Sequence, residues 1–403
     1  DRRSGHRRKH LARPAGPPLT MITRVRIGAL TLTDFRNYER ASMSLEDRHV
    51  VLWGANGAGK TNLIEAVSLL SPGRGLRRAQ LADMARKGAP DGFSVFTRLC
   101  RDEDSFAIGT GTSGGAAEDG GRTRRVRVNG TPARSGDDLL DLARVLWLTP
   151  AMDGLFTGPA ADRRRFVDRM VLAIDPAHGR RARDYELAMR QRNRLMETGH
   201  GAQAEAMFDA IEAQLAALGT AMIAARQELV TLLSELMAEA GASGAFPRAE
   251  IALEGPFEAA HAGGDPAGEI EAALIAELAG GRQRDRAAGR TLAGPHRADL
   301  GVLHAQKGIA AGLCSTGEQK ALLTGLVLAH AALTARVSAM TPILLLDEVA
   351  AHLDPDRRAA LFDRVHDLGG QAFMTGTDRA LFDALGDRAQ YLRVDNGTIT
   401  DDG

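Results

Sequence analysis

The stretch 52–67, LWGANGAGKTNLIEAV, sets three glycines and a lysine between an apolar run and what reads as the start of a helix. Gly54–Thr61 fits G-x-x-x-x-G-K-[ST] in the strand-before, helix-after setting that this pattern needs. In that setting glycines let backbone N–H groups wrap phosphate oxygens, and the helix N-terminus turns its positive end toward them. Gly54, Ala55, Asn56, Gly57, Ala58, Gly59, Lys60 and Thr61 are therefore expected to bind a nucleotide. Lys60 would reach the β and γ oxygens, and the Thr61 hydroxyl would ligate Mg²⁺. Lysine is scarce in this chain, with five among 51 basic residues, while arginine is abundant. Abundant arginine reads as codon bias and makes most arginines weak evidence; Lys60 is the exception.

A chain of 403 residues that is 44% apolar can bury a large core, as one large or two ordinary domains. Formal charge is zero, so a polyanionic partner must be met by a local patch and not by a whole-molecule field. Cys100 and Cys314 show neither metal-ligand spacing nor a secreted disulfide pattern, which fits a cytoplasmic location. No apolar run reads as long enough to cross a bilayer, so no membrane partner is expected. Residues 1–20 are basic and Pro-rich and read as a disordered extension or misassigned start, the alternative being a DNA-binding arm.

Strand patterns are expected at 22–35, 49–54, across 93–130 around a Gly-rich loop at 112–121, and at 144–149. From about 160 to 240 apolar residues recur at helical spacing, which predicts a bundle or short hairpin of helices. A loop at 241–268 and a helix at 269–280 follow, before strands and helices alternate to the C-terminus. Within that last part, ILLLDE (343–348) is a buried strand ending in two acids. Beside a phosphate loop, Asp347 suits a Mg²⁺ role and Glu348 a general base that orients the attacking water. CSTGEQK (314–320) opens an apolar helix, making a second helix N-terminus that could meet phosphate; an ordinary Ser cap with Glu318 in the first turn is the plainer reading.

In order, DFRNY (34–38), GANGAGKTN, DRRRFVDRM (162–170), RQRNRL (190–195), GPHRADL (294–300), STGEQK and LLLDEVAAHLD (344–354) resemble the RecF family of bacterial recombination-mediator ATPases, relatives of the SMC proteins. The resemblance runs from about Met21 to the C-terminus. It implies an α/β fold: an ABC/SMC-like P-loop ATPase head of mixed sheets with flanking helices, and an inserted helical lobe. The head would comprise 21–150 and 285–403, and the lobe 151–284. It also implies that Arg36 and Asn37 lie near the nucleotide, and that Ser315, Thr316, Gly317, Glu318 and Gln319 form a signature that caps phosphate held by another subunit. Leu353 and Asp354 would form a loop at the dimer interface.

By the same likeness the cofactors are ATP and Mg²⁺. The partners are DNA, as duplex or as a single-strand/duplex junction, a second copy of the chain, the RecR and RecO mediators and the recombinase. The implied role is recombinational repair and replication restart at gaps, linked to SOS induction, with weak DNA-stimulated ATP hydrolysis. Two departures stand out: STGEQ replaces the usual SGGQ, and Thr375 and Thr377 stand where many ABC ATPases place a γ-phosphate-sensing histidine. Arg122–Arg127, Arg163–Arg165, Arg180, Arg181, Arg183, Arg190, Arg192 and Arg194 are candidate phosphate contacts, although in so arginine-rich a chain each cluster alone is more often a solvated helix face. The alternatives are an ABC transporter ATPase subunit, which would need a compact domain, a GTPase, which would need an N/T-K-x-D motif that no lysine here provides, and a nucleotide-gated scaffold, which would differ only in its rate of hydrolysis.

Overall fold

The computed structural model describes residues 22–89, 92–112, 123–199, 201–239 and 245–402. The extension at 1–20, most of the Gly-rich loop and Arg122 lie outside them. The alternating run Val25–Phe35 forms β1, and β2 (Tyr38–Ser44) returns antiparallel after a tight turn in which Asp34 and Arg36 take φ of 49° and 56°. The sequence reading did not separate β2. The buried strand β3 (His49–Trp53) leads into α1 (Lys60–Ser68), followed by the short α2 (Leu81–Met84). Antiparallel hairpins β4 (Ser94–Arg101), β5 (Asp104–Gly111), β6 (Arg125–Val128) and β7 (Thr131–Pro132) complete a first sheet, ordered β2-β1-β4-β5-β6-β7. Next comes the apolar strand β8 (Val145–Leu148).

The middle of the chain is helical: α3 (Ala160–Ile174), α4 (His178–Thr198) and α5 (Gly201–Glu239). The segment expected as a loop at 241–268 instead contains β9 (Ala249–Glu254) and α6 (Pro256–Gly263), ahead of α7 (Ala267–Gly280) and α8 (Arg282–Ala288). AEIALE alternates weakly on its own. It becomes a strand because β10 (Asp299–His304), some fifty positions on, pairs with it along its whole length.

The C-terminal part adds β11 (Ile309–Ala310), α9 (Thr316–Ser338), β12 (Ile343–Leu346), α10 (Pro355–Asp367), β13 (Ala372–Gly376), β14 (Ala389–Asp395) and β15 (Thr398–Asp401). These build a second six-stranded sheet, β15-β14-β3-β13-β12-β8, parallel except at the β15 edge. Strand β3 is shared by two cores, since Val51 joins the apolar cluster under α3, α5 and α9, while Val50 and Leu52 face the cluster between the sheets. The parallel register sets the ends of β3, β13, β12 and β8 side by side, and this C-terminal edge is where ligands bind in open α/β sheets.

Contrary to the sequence expectation, α5 and α9 are each long and apolar enough by length and composition to span a membrane. Their apolar windows are 44% and 67% buried inside the protein, and they supply residues such as Leu229, Leu233, Leu322 and Leu326 to the core. Interior packing accounts for their composition.

Two buried histidines are held neutral. His330 on α9 donates from Nε2 to the Met170 carbonyl at 3.0 Å, and burial pushes its pKa down to about 4. His49 Nδ1 accepts from the Ala372 N–H at 3.2 Å, and burial, with the charge of nearby His366, Arg24 and Arg388, likewise lowers it to about 4. A group whose folded pKa lies below its unfolded value of ~6.5 binds its proton more tightly when unfolded, so stability is lost as pH falls from 6.5 toward 4. Going from pH 7 to pH 5 should cost about 2 kcal/mol per histidine. Thermal denaturation checks this: Tm should fall between those pH values, and fall less in His330→Gln, whose amide keeps a donor but does not titrate.

Candidate functional site

The phosphate loop leaves β3 at Gly54 and enters α1 at Lys60. Gly54, Gly57 and Gly59 take φ of 147°, 82° and 117°, conformations that side chains with a Cβ rarely adopt. A Cβ at Gly59 would also stand 2.5 Å from the Tyr38 hydroxyl and 2.7 Å from Asn37 Nδ2. Ala55, Asn56 and Gly57 are exposed at the tip, while Ala58, Gly59 and Lys60 are buried. Lys60 Nζ folds back onto the loop, donating to the carbonyls of Gly54 at 2.6 Å and Ala55 at 2.8 Å. Burial lowers the Lys60 pKa, and the charges of Glu348 and Asp347 oppose that shift.

Residues of DFRNY brace this loop from behind. Asn37 donates to the Ala58 carbonyl at 3.3 Å and accepts from Asn62 at 2.7 Å. Arg36 makes two hydrogen bonds, of 2.8 and 2.6 Å, to the fully buried Glu65 of α1, and a third to the Asp83 carbonyl. Its guanidinium is committed to the flank of α1. Tyr38, which the sequence reading did not single out, packs its buried hydroxyl under Gly59.

Asp347 follows β12 and meets Thr61 from across the sheet. Thr61 Oγ1 donates to Asp347 Oδ1 at 3.1 Å, and Thr375 Oγ1, at the end of β13, donates to the same oxygen at 2.7 Å. Thr375 Oγ1 also accepts the Glu348 backbone N–H at 2.9 Å, fixing a residue whose φ is 53°. Such left-handed backbone at a non-glycine residue costs of order 1–3 kcal/mol and persists only where neighbours hold it. Thr375 is buried, so it supports the acid pair rather than facing a phosphate, whereas Thr377 is exposed. A hydroxyl and a carboxylate converging beside a lysine suit Mg²⁺, which keeps several waters and takes few protein ligands.

A crevice beside these acids is lined by Thr149, Asp153, Lys320, Asp347, Glu348 and Leu353 among others, and Lys320 pairs with Asp153 at 2.9 Å. Leu353 lies in this crevice, and Asp354 caps α10 by accepting from the Arg357 N–H at 2.9 Å. Lys307 pairs with Glu318 at 2.5 Å, so two of the scarce lysines flank the start of α9. Their rarity was a signal for these positions as much as for Lys60.

At that start, Ser315 and Glu318 form a full capping box: Ser315 N–H and Oγ donate to Glu318 Oε2 at 3.1 and 3.0 Å, and Ser315 Oγ accepts from the Glu318 N–H at 3.4 Å. Lys307 first, and then Ser315, hold the Glu318 carboxyl down at about 2. Ser315, Thr316 and Gly317 are exposed, but Gln319 is buried with its amide on the Cys314 carbonyl at 2.9 Å. Among the described residues no hydrogen bond or ion pair joins 315–319 to the phosphate loop of the same chain.

Several arginines expected to meet phosphate are otherwise engaged. Arg192 is wholly buried between Glu212 and Asp285, Arg163 clasps Asp299, and Arg165, Arg181, Arg183 and Arg190 pair with Asp162, Asp175, Asp137 and Glu186. Arg164 donates to the Ala298 carbonyl, and Arg124 is spent on carbonyls of Leu69, Ser71 and Gly73.

The family model for the RecF/RecN/SMC N terminal domain matches residues 26–400. A protein of Rhizobium meliloti (strain 1021) described as DNA replication and repair protein RecF is 59% identical over 380 residues, covering 94% of this chain and all of that one. The chain belongs to the RecF family. A second RecF, from Mesorhizobium japonicum, is 58% identical over 94% of this chain and 98% of its own length. The fold agrees. A solved RecF-ATPrS structure, of the recombination mediator protein in the RecFOR pathway, superposes with a TM-score of 0.81 at 21% identity, covering 94% of this chain and 99% of that one. An Smc head domain from Pyrococcus furiosus bound to the C-terminal domain of ScpA gives 0.50 at 14% identity, covering 93% and 95%. This RecF-family chain is thus an ABC/SMC-like α/β head with an inserted helical lobe, and a DNA replication and repair protein by membership. A transporter subunit is set aside.

Thr375 is the test of this geometry. Thr375→Val removes both hydrogen bonds and leaves the Glu348 N–H without its partner, a loss of about 1–3 kcal/mol. Under the ATPase reading proposed below, hydrolysis should fall by at least tenfold with ATP affinity changed less than threefold, and Thr375→Ser should restore it; steady-state hydrolysis and equilibrium nucleotide binding measure the two.

Proposed function

We propose that this chain is an ATP-dependent DNA-binding protein of recombinational repair and replication restart, in which two copies close on each other around ATP. The observation that carries the reading is a division of labour. Lys60, Thr61, Asp347 and Glu348 gather at one sheet edge, while Ser315–Gly317 are exposed and make no polar contact with that edge in their own chain. A second copy would supply them in trans. In this reading the head is 21–150 with 285–403, and the lobe is 151–284.

Thr61 and Asp347 would hold Mg²⁺, which supplies charge neutralisation at the β and γ oxygens. Lys60 leaves the Gly54 and Ala55 carbonyls and turns its ammonium to the γ-phosphate. Glu348 takes a proton from the water that attacks the γ-phosphorus, the β–γ bridging bond breaks, and ADP and phosphate leave. With the exposed Thr377 where a phosphate-sensing histidine would stand, turnover is slow, and ATP times the residence of the dimer on DNA. The reading extends to contacts with RecR, RecO and the recombinase at single-strand gaps, to a link with SOS induction and to a cytoplasmic location; membership of the RecF family supports it.

Sedimentation of Glu348→Gln, which retains binding while blocking proton abstraction, should show a dimer with ATP and Mg²⁺, tightened by duplex DNA, and a monomer with ADP. Ser315→Arg should remain monomeric under every condition while still binding ATP. A monomer in saturating ATP and DNA would overturn the proposal.

A further inference from the structure

Across much of this molecule arginines meet acids, as Arg26 of β1 meets Asp47 at 3.5 Å, yet four arginines on the outer face of the first sheet have no such partner. Strand alternation buries Val95, Leu99 and Val126 on the inner face and sends Arg40 of β2, Arg98 of β4, and Arg125 and Arg127 of β6 outward. All four are exposed, and none has an ion-pair partner among the described residues. Register places Arg40 and Arg125 at the two ends of one cross-strand row, filled between them by Thr33, Ser94 and Gly111. The next row ends at Arg127 and holds Thr31, Phe96 and Gly109. No carboxylate interrupts either row.

Four interstrand steps of ~4.8 Å put the ends of the first row about 19 Å apart, and two residues along β6 put Arg125 and Arg127 about 7 Å apart. The β6–β7 edge also opens a pocket of ≈ 390 Å³ lined by Arg124, Arg125, Arg127, Arg134 and Ser135, again without a carboxylate. Arg124 ties that edge to the end of α1 through the Leu69, Ser71 and Gly73 carbonyls, which joins the basic surface to the phosphate-loop helix.

We infer that this sheet face, with its β6–β7 pocket, binds the phosphodiester backbone of duplex DNA; the inference rests on the DNA-binding reading above and places the contact. A floor of small residues lets a duplex approach closely, and arginines at its margins meet phosphates without reading bases. An acidic protein would need an apolar centre to its interface, and Phe96, at 42% exposure, is the one large apolar side chain exposed in these rows.

The test compares the full chain with the double variant Arg125→Ala/Arg127→Ala, and with Arg336→Ala as an arginine control away from this face. Binding of a fluorescent duplex with ATP is measured across a salt series. Each lost phosphate contact lowers the slope of log K against log salt by ~0.9, so the double variant should lose up to about two units of slope and ten- to a hundredfold in affinity at physiological salt. Its Tm and ATP-dependent dimerisation should match wild type, as should DNA binding by Arg336→Ala. Unchanged affinity and slope in the double variant, beside a wild type that binds DNA, would overturn this location alone. Failure of the wild type to bind duplex DNA would instead sink the reading beneath it. Polyglutamate bound as tightly as DNA, and lost in the same variant, would assign the face to an acidic protein.

Discussion

Two threonine hydroxyls share one carboxylate oxygen, and the site depends on that meeting. Thr61 comes from the helix after β3, Thr375 from the end of β13, and Asp347 from the end of β12. Loop closure over hundreds of residues is entropically affordable because its cost grows only with the logarithm of length. Register is less forgiving. A one-residue slip of β13 against β3 and β12 would turn Thr375 to the other face, leaving Asp347 short of a donor and Glu348 without the anchor for its left-handed backbone. Both cores therefore serve the site, since β3 is wedged between them and neither can shift alone.

The parts of this arrangement that were legible in the sequence are those whose chemistry is local. GANGAGKT, ILLLDE and STGEQK each compress a turn, a strand end or a helix cap into a few residues, and each falls at the end of the element expected for it. What stayed hidden depends on distant partners. Strand β9 needed β10, the close packing under Gly59 needed Tyr38 of β2, and Lys320 took meaning from Asp153 after β8. The arginine clusters misled for the same reason. In RQRNRL nothing marks Arg192 as different from Arg190, yet one is wholly buried by acids from α5 and α8 and the other is exposed on its own helix.

Those buried ion pairs explain how the lobe is tied to the head. Asp168 on α3 accepts two 2.8 Å hydrogen bonds from Arg226 of α5 and one of 2.9 Å from His178 of α4, while Arg226 also reaches the Pro295 carbonyl. Burial alone would raise the Asp168 pKa; these partners outweigh it and bring it to about 2. Breaking one partner away would strand a buried charge, at a cost of several kcal/mol. The motifs DRRRFVDRM and GPHRADL thus act as a clamp, with Arg163 and Arg164 gripping Asp299 and Ala298 on one side and Asp168 gripping the helices on the other. Both β10 and α9 pack on α3, so the clamp joins the lobe to the strand and the helix that lead to the site.

In the proposed pairing of two copies, a partner's phosphate would have to engage Ser315. In the single chain the Ser315 hydroxyl and N–H are satisfied by Glu318, which Lys307 pins in place. A phosphate arriving there brings negative charge to a carboxylate already ionised at neutral pH, so it repels Glu318 before it gains the helix N-terminus. Releasing this exposed cap would cost less than a charge-assisted phosphate contact gains, provided Glu318 keeps Lys307 as it swings aside. The extra Thr316 side chain, exposed where many signatures have glycine, makes that exchange more crowded. In the proposed dimer, association through this surface would be a competition between an internal cap and an external phosphate, and it would reverse once the γ-phosphate is gone.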